Sequence, residues 1–200
     1  MEKFNYAVAL VSFITGVGLS DLAMSLHRLL KHRSRVVWFW IPIAIALYAS
    51  LALMRLWYQL WTVHDNATVT GLPFVAVLMV QTLVLVLVVV AALPDDNDFR
   101  DGRVDLGAYY AAQWRYVWTT YLVFLVLWVA TGAYFWVIQG APVSSPFFAL
   151  YFGVPIVLTV AALKLSRRWH GLIVVLLIVH EIILPSNLVG LGGIVFEAMR

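Results

Sequence analysis

In the segment Gly16–Arg35, GVGLSDLAMSLHRLLKHRSR, an apolar helix that carries Asp21 runs into a strongly basic turn. Four basic side chains follow the first hydrophobic stretch: Arg28, Lys31, Arg33 and Arg35. Basic residues beside a membrane-spanning helix stay on the cytoplasmic side of the bilayer. The segment therefore predicts a first helix that crosses a membrane and ends at its cytoplasmic face.

The composition of the whole chain agrees with a membrane protein. Of its 200 residues, 64% are hydrophobic and 12% are charged, whereas soluble domains average about 45–50% apolar and about 25% charged residues. The chain has no cysteine, which excludes disulfides, thiolate metal sites and cysteine nucleophiles. Since the basic residues fall almost entirely in turns between apolar segments, we expect no nucleic-acid partner.

Six segments are long and apolar enough to cross a bilayer, which needs about 20 residues. The predicted spans are 6–26, 37–61, 72–93, 116–138, 146–165 and 171–193. Asp105 is expected to cap a helix that begins at the membrane surface and then turns into the fourth span. The sequence thus predicts one all-α domain, a polytopic bundle over residues 1–200.

The distribution of charge predicts how the bundle is oriented. Connections 27–36, 94–115 and 164–170 contain Lys and Arg, whereas the second and fourth connections contain neither. The alternation predicts that these three basic connections are cytoplasmic and that both termini lie outside. We expect the protein in a bacterial inner membrane, with the lipid bilayer as its surroundings.

Several stretches carry a resemblance to a known group of proteins. They are RVVWFWIPIAIALYASLALMRLWYQLW after the basic turn, ALPDD, GAYYAAQWRY and RRWHG. Together they resemble a family of uncharacterised bacterial six-helix membrane proteins. The resemblance implies six helices and no assigned activity, and it does not include the pair His180 and Glu181.

Two ionisable side chains in the predicted spans have both a structural and a functional interpretation. A charge near the bilayer centre costs at least about 2.5–3.5 kcal/mol, so each needs a reason. Asp21, roughly 9 Å from the cytoplasmic edge, is expected to pair with Lys164, or else to accept a proton or cation. Arg55, roughly 27 Å from that edge, is expected to reach the outer interface as an anchor, or else to bind an anionic substrate.

The adjacent pair His180-Glu181 is the most informative feature of the last span. Pro185 removes the helical donor for the carbonyl group of Glu181, which predicts a kink beside a buried acid. Broken helices of this kind hold ions or substrates in many transporters. Because Tyr48 and Gln81 fall within roughly 3 Å of the depth of Glu181, a polar midplane layer is expected. In the alternative interpretation, Glu181 is protonated and only links helices through Gln81 or a tyrosine.

No cofactor or metal is expected. His27 and His170 are the only two histidines matched in depth for haem, and both also suit the flanks of a basic turn. The acidic segment 94–106 does not fit a calcium loop, since Phe99 takes a ligand position. No catalytic motif appears, so an enzyme is less expected than a non-enzymatic protein.

These features lead to two hypotheses for function. In the first, the protein binds or conducts a small solute, ion or proton through the polar layer around Glu181. In the second, it is a non-catalytic membrane scaffold, sensor or accessory subunit that meets copies of itself or another protein.

Overall fold

A computed structural model of the chain describes residues 2–62, 71–95, 103–138 and 149–183. Within these ranges the structure is almost wholly helical. Its helices are α1 (Glu2–Lys31), α2 (Trp40–Thr62), α3 (Leu72–Ala92), α4 (Leu106–Ile138), α5 (Val154–Lys164) and α6 (170–183). A π-helical turn, Ala149–Gly153, leads into α5. The all-α class predicted from the sequence is confirmed.

Four of these helices are long and apolar enough to cross a membrane, judged by length and composition alone. The segments that qualify are Asn5–Lys31, Trp40–Gln59, Pro73–Ala92 and Leu106–Tyr134. Ala149–Lys164 is a shorter apolar helix. The predicted sixth span extends to residue 193, but its part beyond residue 183, with the expected kink at Pro185, lies outside the described residues.

The fourth span differs from its predicted bounds. The sequence led us to expect a surface helix that turns into a span at residue 116, but α4 runs without a break from Leu106 to Ile138. No proline or glycine interrupts the helix between Gly107 and Gly132, so nothing in this stretch favours a bend. The predicted cap is confirmed: the Asp105 Oδ1 atom accepts hydrogen bonds from the backbone N–H groups of Gly107 at 2.8 Å and Ala108 at 3.0 Å.

The basic connections meet at one end of the bundle. Strand β1 (Val36–Val37) follows the first connection and pairs in parallel with strand β2 (Val104–Asp105), which belongs to the third. A Cβ atom on Gly171, just after the fifth connection, would lie 2.6 Å from the ring of Trp40. This short β pairing was not predicted, and it fastens together segments that are far apart in the sequence.

Helix α3 lies at the centre of the helical packing. It contacts α1, α2 and α4, and α4 in turn contacts α5. Leu85 and Val89 of α3 and Phe124 and Leu125 of α4 have no exposed surface. The outer faces remain apolar, with side chains such as Phe13 at 71% exposure. An apolar exterior around a packed interior is what a bilayer-embedded bundle requires.

Candidate functional site

An ion pair links α2 to α6 inside the bundle. The Arg55 Nη1 atom lies 2.8 Å from the Glu181 Oε2 atom, and the two side chains are 8% and 4% exposed. Both residues were candidates from the sequence, but for separate roles. The expectation that Arg55 is an anchor at the outer interface is therefore wrong, and Glu181 has a charged partner rather than Gln81 or a tyrosine.

The estimated depth of Arg55 was too great, because α2 begins at Trp40 rather than at residue 37 and because the estimate ignored the reach of the side chain. Ile41 and Trp40 at the start of α2 lie against Gly171 at the start of α6, so the two helices begin at the same level. Counting residues from there places the Cα atoms of Arg55 and Glu181 about 6 Å apart along the bundle. Side chains tilt toward the N-terminal end of their helix, which brings the long arginine side chain down to Glu181.

Aromatic rings surround the guanidinium group of Arg55. Its Cζ atom lies 4.3 Å from the ring centroid of Trp128 and 5.7 Å from that of Tyr151. Both distances are within the range of a cation–π interaction. Gln59 donates a hydrogen bond of 2.5 Å to the hydroxyl group of Tyr151. The positive charge is thus held by one carboxylate and two rings, with little exposure.

Tyr48 lies on the same face of α2 as Arg55, about two helical turns closer to the basic end. Its hydroxyl group is hydrogen-bonded to that of Tyr121 in α4, and the rings meet edge to face at 5.4 Å between centroids. Tyr48 and Tyr121 are 3% and 2% exposed. The α2 stripe of Tyr48, Arg55 and Gln59 therefore faces α4 and the turn Ala149–Gly153, and it forms a buried polar layer.

The aromatic partners of this layer were not predicted from the sequence. Tyr121 and Trp128 of α4 are seven residues apart, which places them on one face of a helix, and both are buried. That spacing is visible in the sequence, so they could have been found. Tyr151 gave no such signal, because its position depends on the π-helical turn.

Gln81 belongs to a different contact. Its side-chain amide donates a hydrogen bond of 2.5 Å to Thr131 Oγ1, and that hydroxyl group donates to the carbonyl oxygen of Leu127 at 2.6 Å. Gln81 is 2% exposed. The structure therefore uses Gln81 to join α3 to α4 and does not place it against Glu181.

His180 contacts the turn that precedes α5. Its Nε2 atom lies 3.3 Å from the carbonyl oxygen of Leu150. Because a carbonyl oxygen only accepts hydrogen bonds, Nε2 carries the proton and Nδ1 is left as an acceptor. The Nδ1 atom has no hydrogen-bond partner among the described residues. His180 thus positions α6 beside the turn that also carries Tyr151.

The predicted pair of Asp21 and Lys164 is wrong. Neither side chain forms an ion pair within the described ranges, and Lys164 is exposed at the end of α5. The reason is the packing order: α1 contacts α2 and α3, whereas α5 contacts α4. Thr159, in the same helix as Lys164, donates its hydroxyl group to the carbonyl oxygen of Pro155 at 2.7 Å.

His170 is buried in a hydrogen-bonded chain near the basic end. Its Nε2 atom lies 2.9 Å from the carbonyl oxygen of Ala162 and its Nδ1 atom 2.5 Å from the hydroxyl group of Tyr110. Nε2 must donate to the carbonyl group, so Nδ1 accepts from Tyr110. Trp118 Nε1 donates to the same hydroxyl oxygen at 3.0 Å. Burial lowers the pKa of His170 below its ordinary value.

This arrangement does not suit the haem alternative considered for the histidines. An iron ligand needs a free ring nitrogen, and both ring nitrogens of His170 are occupied by hydrogen bonds. His27 is exposed on α1. In this arrangement neither ring nitrogen of His170 is free to bind iron.

A cavity of about 690 Å³ lies beside the ion pair, between α1, α2 and α6. Arg55 and Glu181 form part of its wall, and α1 contributes the hydroxyl-bearing residues Ser12 and Thr15. Ser12 Oγ accepts a hydrogen bond from Trp57 Nε1 at 2.8 Å. The volume falls within the range of about 300–1,000 Å³ that is usual for small-molecule sites.

No protein-family model, curated protein or solved structure matches the chain. Its function therefore has to be inferred from its own residues.

Proposed function

We propose that this chain is a multi-pass protein of a bacterial inner membrane that binds or conducts a small solute, ion or proton at the polar layer around Arg55 and Glu181. The observation that carries the proposal is the position of this ion pair in the wall of a cavity. Ionisable residues in membrane-spanning helices are costly, and they most often serve substrates, ions or protons.

The surroundings of the pair support a working site. Cation–π contacts with Trp128 and Tyr151 hold the arginine in place, while the Oε1 atom of Glu181 accepts no hydrogen bond from the described residues. With the guanidinium group of Arg55 fixed and the Oε1 atom of Glu181 open, the carboxylate can bind a solute or a proton.

A second candidate function also has an observation in its favour. Because Arg55 and Glu181 compensate each other's charge, they form a complete structural link between α2 and α6. In that case the protein is a non-catalytic scaffold, sensor or accessory subunit, and the cavity has no occupant of its own.

Transport measurements in proteoliposomes separate the two. The wild type is compared with Arg55→Met/Glu181→Leu, which removes both charges and leaves no unpaired ion, and with Asp95→Asn, which removes an exposed carboxylate outside the layer. The probes are protons, Na⁺, K⁺, Cl⁻ and glycerol. We expect flux of at least one probe for the wild type and for Asp95→Asn, and its loss in the double variant. Wild-type vesicles that match protein-free ones for every probe support the scaffold instead.

A further inference from the structure

The cavity beside the ion pair opens on the flank of the bundle. Its α1 residues lie in the middle of that helix, and its rim includes Met54, Tyr58 and Ile182, which are 57%, 54% and 59% exposed. A flank opening between membrane-spanning helices faces hydrocarbon rather than water. Molecules reach such a cavity from the bilayer, so they must be largely apolar.

Most of the wall is apolar as well, but two buried acceptor-bearing groups lack hydrogen bonds. Thr15 is 8% exposed and Glu181 6% exposed, and both line the cavity. The Thr15 Oγ1 and Glu181 Oε1 atoms have no hydrogen-bond partner among the described residues. Buried polar atoms without partners are costly and rare. A ligand group that donates to the carboxylate and bonds to the hydroxyl group satisfies both.

Thr15 differs from two other buried threonines of the bundle, Thr82 and Thr159. Thr82 donates to the carbonyl oxygen of Leu78 at 2.8 Å, and Thr159 donates to that of Pro155 at 2.7 Å. This bond to the preceding helical turn is the usual arrangement for a threonine within a helix. The Thr15 hydroxyl group has no such bond, so it remains able to bond to an occupant of the cavity.

The charges in the wall determine what kind of polar group fits. A cation near Glu181 is repelled by Arg55, and an anion near Arg55 is repelled by Glu181, since the two side chains are in contact. An uncharged donor meets neither penalty. A hydroxyl group is such a donor, and it also has lone pairs that accept from Thr15.

We infer that this cavity binds an uncharged amphipathic molecule from the bilayer, with an apolar body and a hydroxyl group that donates to Glu181 and bonds to Thr15. The inference rests on the proposed function, because it names the class of solute for the same site. It goes further by specifying the polar group and the route of entry.

Fluorescence quenching of Trp57, which lines the cavity, tests this inference. The protein in lipid nanodiscs is titrated with a brominated long-chain alcohol and with the bromoalkane of the same length, at equal mole fractions in the lipid. Comparison with Trp57→Phe identifies the part of the quenching that comes from Trp57. We expect that part of the quenching to saturate. The alcohol should reach half-saturation at about fivefold lower mole fraction than the alkane, because one hydrogen bond contributes roughly that factor to binding.

Thr15→Val removes the hydroxyl group at nearly unchanged volume, and Thr82→Val is the matched control away from the cavity. We expect Thr15→Val to shrink the difference between alcohol and alkane, and Thr82→Val to keep it. Equal quenching by the two probes in the wild type, or a difference between them that Thr15→Val leaves unchanged, overturns the inference.

The outcomes also separate this inference from the proposed function. If flux is lost in Arg55→Met/Glu181→Leu while the two probes quench equally, the transport site stands and the solute class is wrong. If the alcohol is preferred but no probe crosses the membrane, the cavity binds its ligand without conducting.

Discussion

Arg55 of α2 and Glu181 of α6 are in contact, with 2.8 Å between Nη1 and Oε2, although their positions along the chain predicted different depths. The contact changes what each residue can do. Arg55 is a buried charge fixed between a carboxylate and the ring of Trp128, and Glu181 is an acid with a permanent neighbour. The link between α2 and α6 therefore includes this pair.

Removing one partner of the pair is expected to destabilise the fold more than removing both. Glu181→Leu leaves Arg55 buried without its counter-charge, which costs about 3–5 kcal/mol, whereas Arg55→Met/Glu181→Leu replaces the pair by apolar side chains at little cost. Unfolding free energies measured by denaturant titration in detergent micelles check this. A double variant that is less stable than either single variant contradicts the prediction.

Acidification is expected to destabilise the protein through His170. Burial and the nearby Arg167 lower its pKa in the folded state, while the unfolded state keeps a pKa of about 6.5. Below about pH 6.5 the unfolded chain binds a proton at this histidine more readily than the folded protein does. The contribution of His170 to the free energy of unfolding is therefore fully present above that pH and is lost as the pH falls, by up to about 1.4 kcal/mol per pH unit. Thermal midpoints between pH 8 and pH 5 measure the effect.

The matching control for this pH dependence uses two variants. His170→Gln removes the buried imidazole, and we expect a flatter pH profile for it than for the wild type. His27→Gln removes an exposed imidazole on α1, and we expect it to retain the wild-type slope. Equal slopes for all three proteins assign the pH dependence to other groups.

A methyl group at Gly132 is expected to disturb the packing of α4 against the π-helical turn. A Cβ atom there would lie 2.8 Å from Cε1 of Phe152, whose ring is 6% exposed and packs on Trp128 at 4.5 Å between centroids. We expect Gly132→Ala to lower the unfolding free energy by about 1–3 kcal/mol, as overpacking does.

Gly16→Ala is the control for that substitution. Both glycines lie inside helices, so both gain helix propensity on changing to alanine, by about 0.5–1 kcal/mol. Among the described residues, nothing outside the backbone of α1 itself lies within 4 Å of a Cβ at Gly16, so alanine there is expected to give only the gain in helix propensity. A loss of stability equal to that of Gly132→Ala in the same denaturant titration is the opposite of what we expect.

The orientation proposed from the basic connections can be measured directly, because the chain has no cysteine. Ser34→Cys and Ser166→Cys lie in the first and fifth connections, and Ala67→Cys lies in the second. We expect a membrane-impermeant maleimide to label the first two from the cytoplasmic side and the third from outside. Labelling of Ser34→Cys and Ser166→Cys from opposite sides rules out the predicted topology.

Local features of the fold could be predicted because they depend only on residues that are close together in the sequence. Asp105 caps α4 through backbone groups two and three residues away, and the helical class follows from long apolar segments. The continuity of α4 through residue 116 was not predicted. The residue pattern before this position is typical of a helix at the membrane surface, but it is equally compatible with the first turns of a straight membrane-spanning helix. The parallel pairing of Val36 with Val104 gave no signal in either short segment.

For the candidate site, the sequence identified the residues but not their partners. Arg55, Glu181, Tyr48 and Gln81 are all buried or nearly so, as polar groups within apolar spans suggested. Yet Gln81 binds Thr131 and Tyr48 binds Tyr121. Counting residues gives an approximate depth along a helix, but it gives neither the reach of a side chain nor its direction around the helix axis, and hydrogen bonds depend on all three.

An apolar helical protein with a basic end could be predicted from the sequence alone, since hydropathy and charge add up over each segment regardless of its neighbours. The tertiary structure alone decided that Arg55 meets Glu181 beside a cavity, and that Asp21 and Lys164 stay apart. The physical reason is that such pairings depend on helix order, rotation and relative height, which arise from packing across the whole bundle.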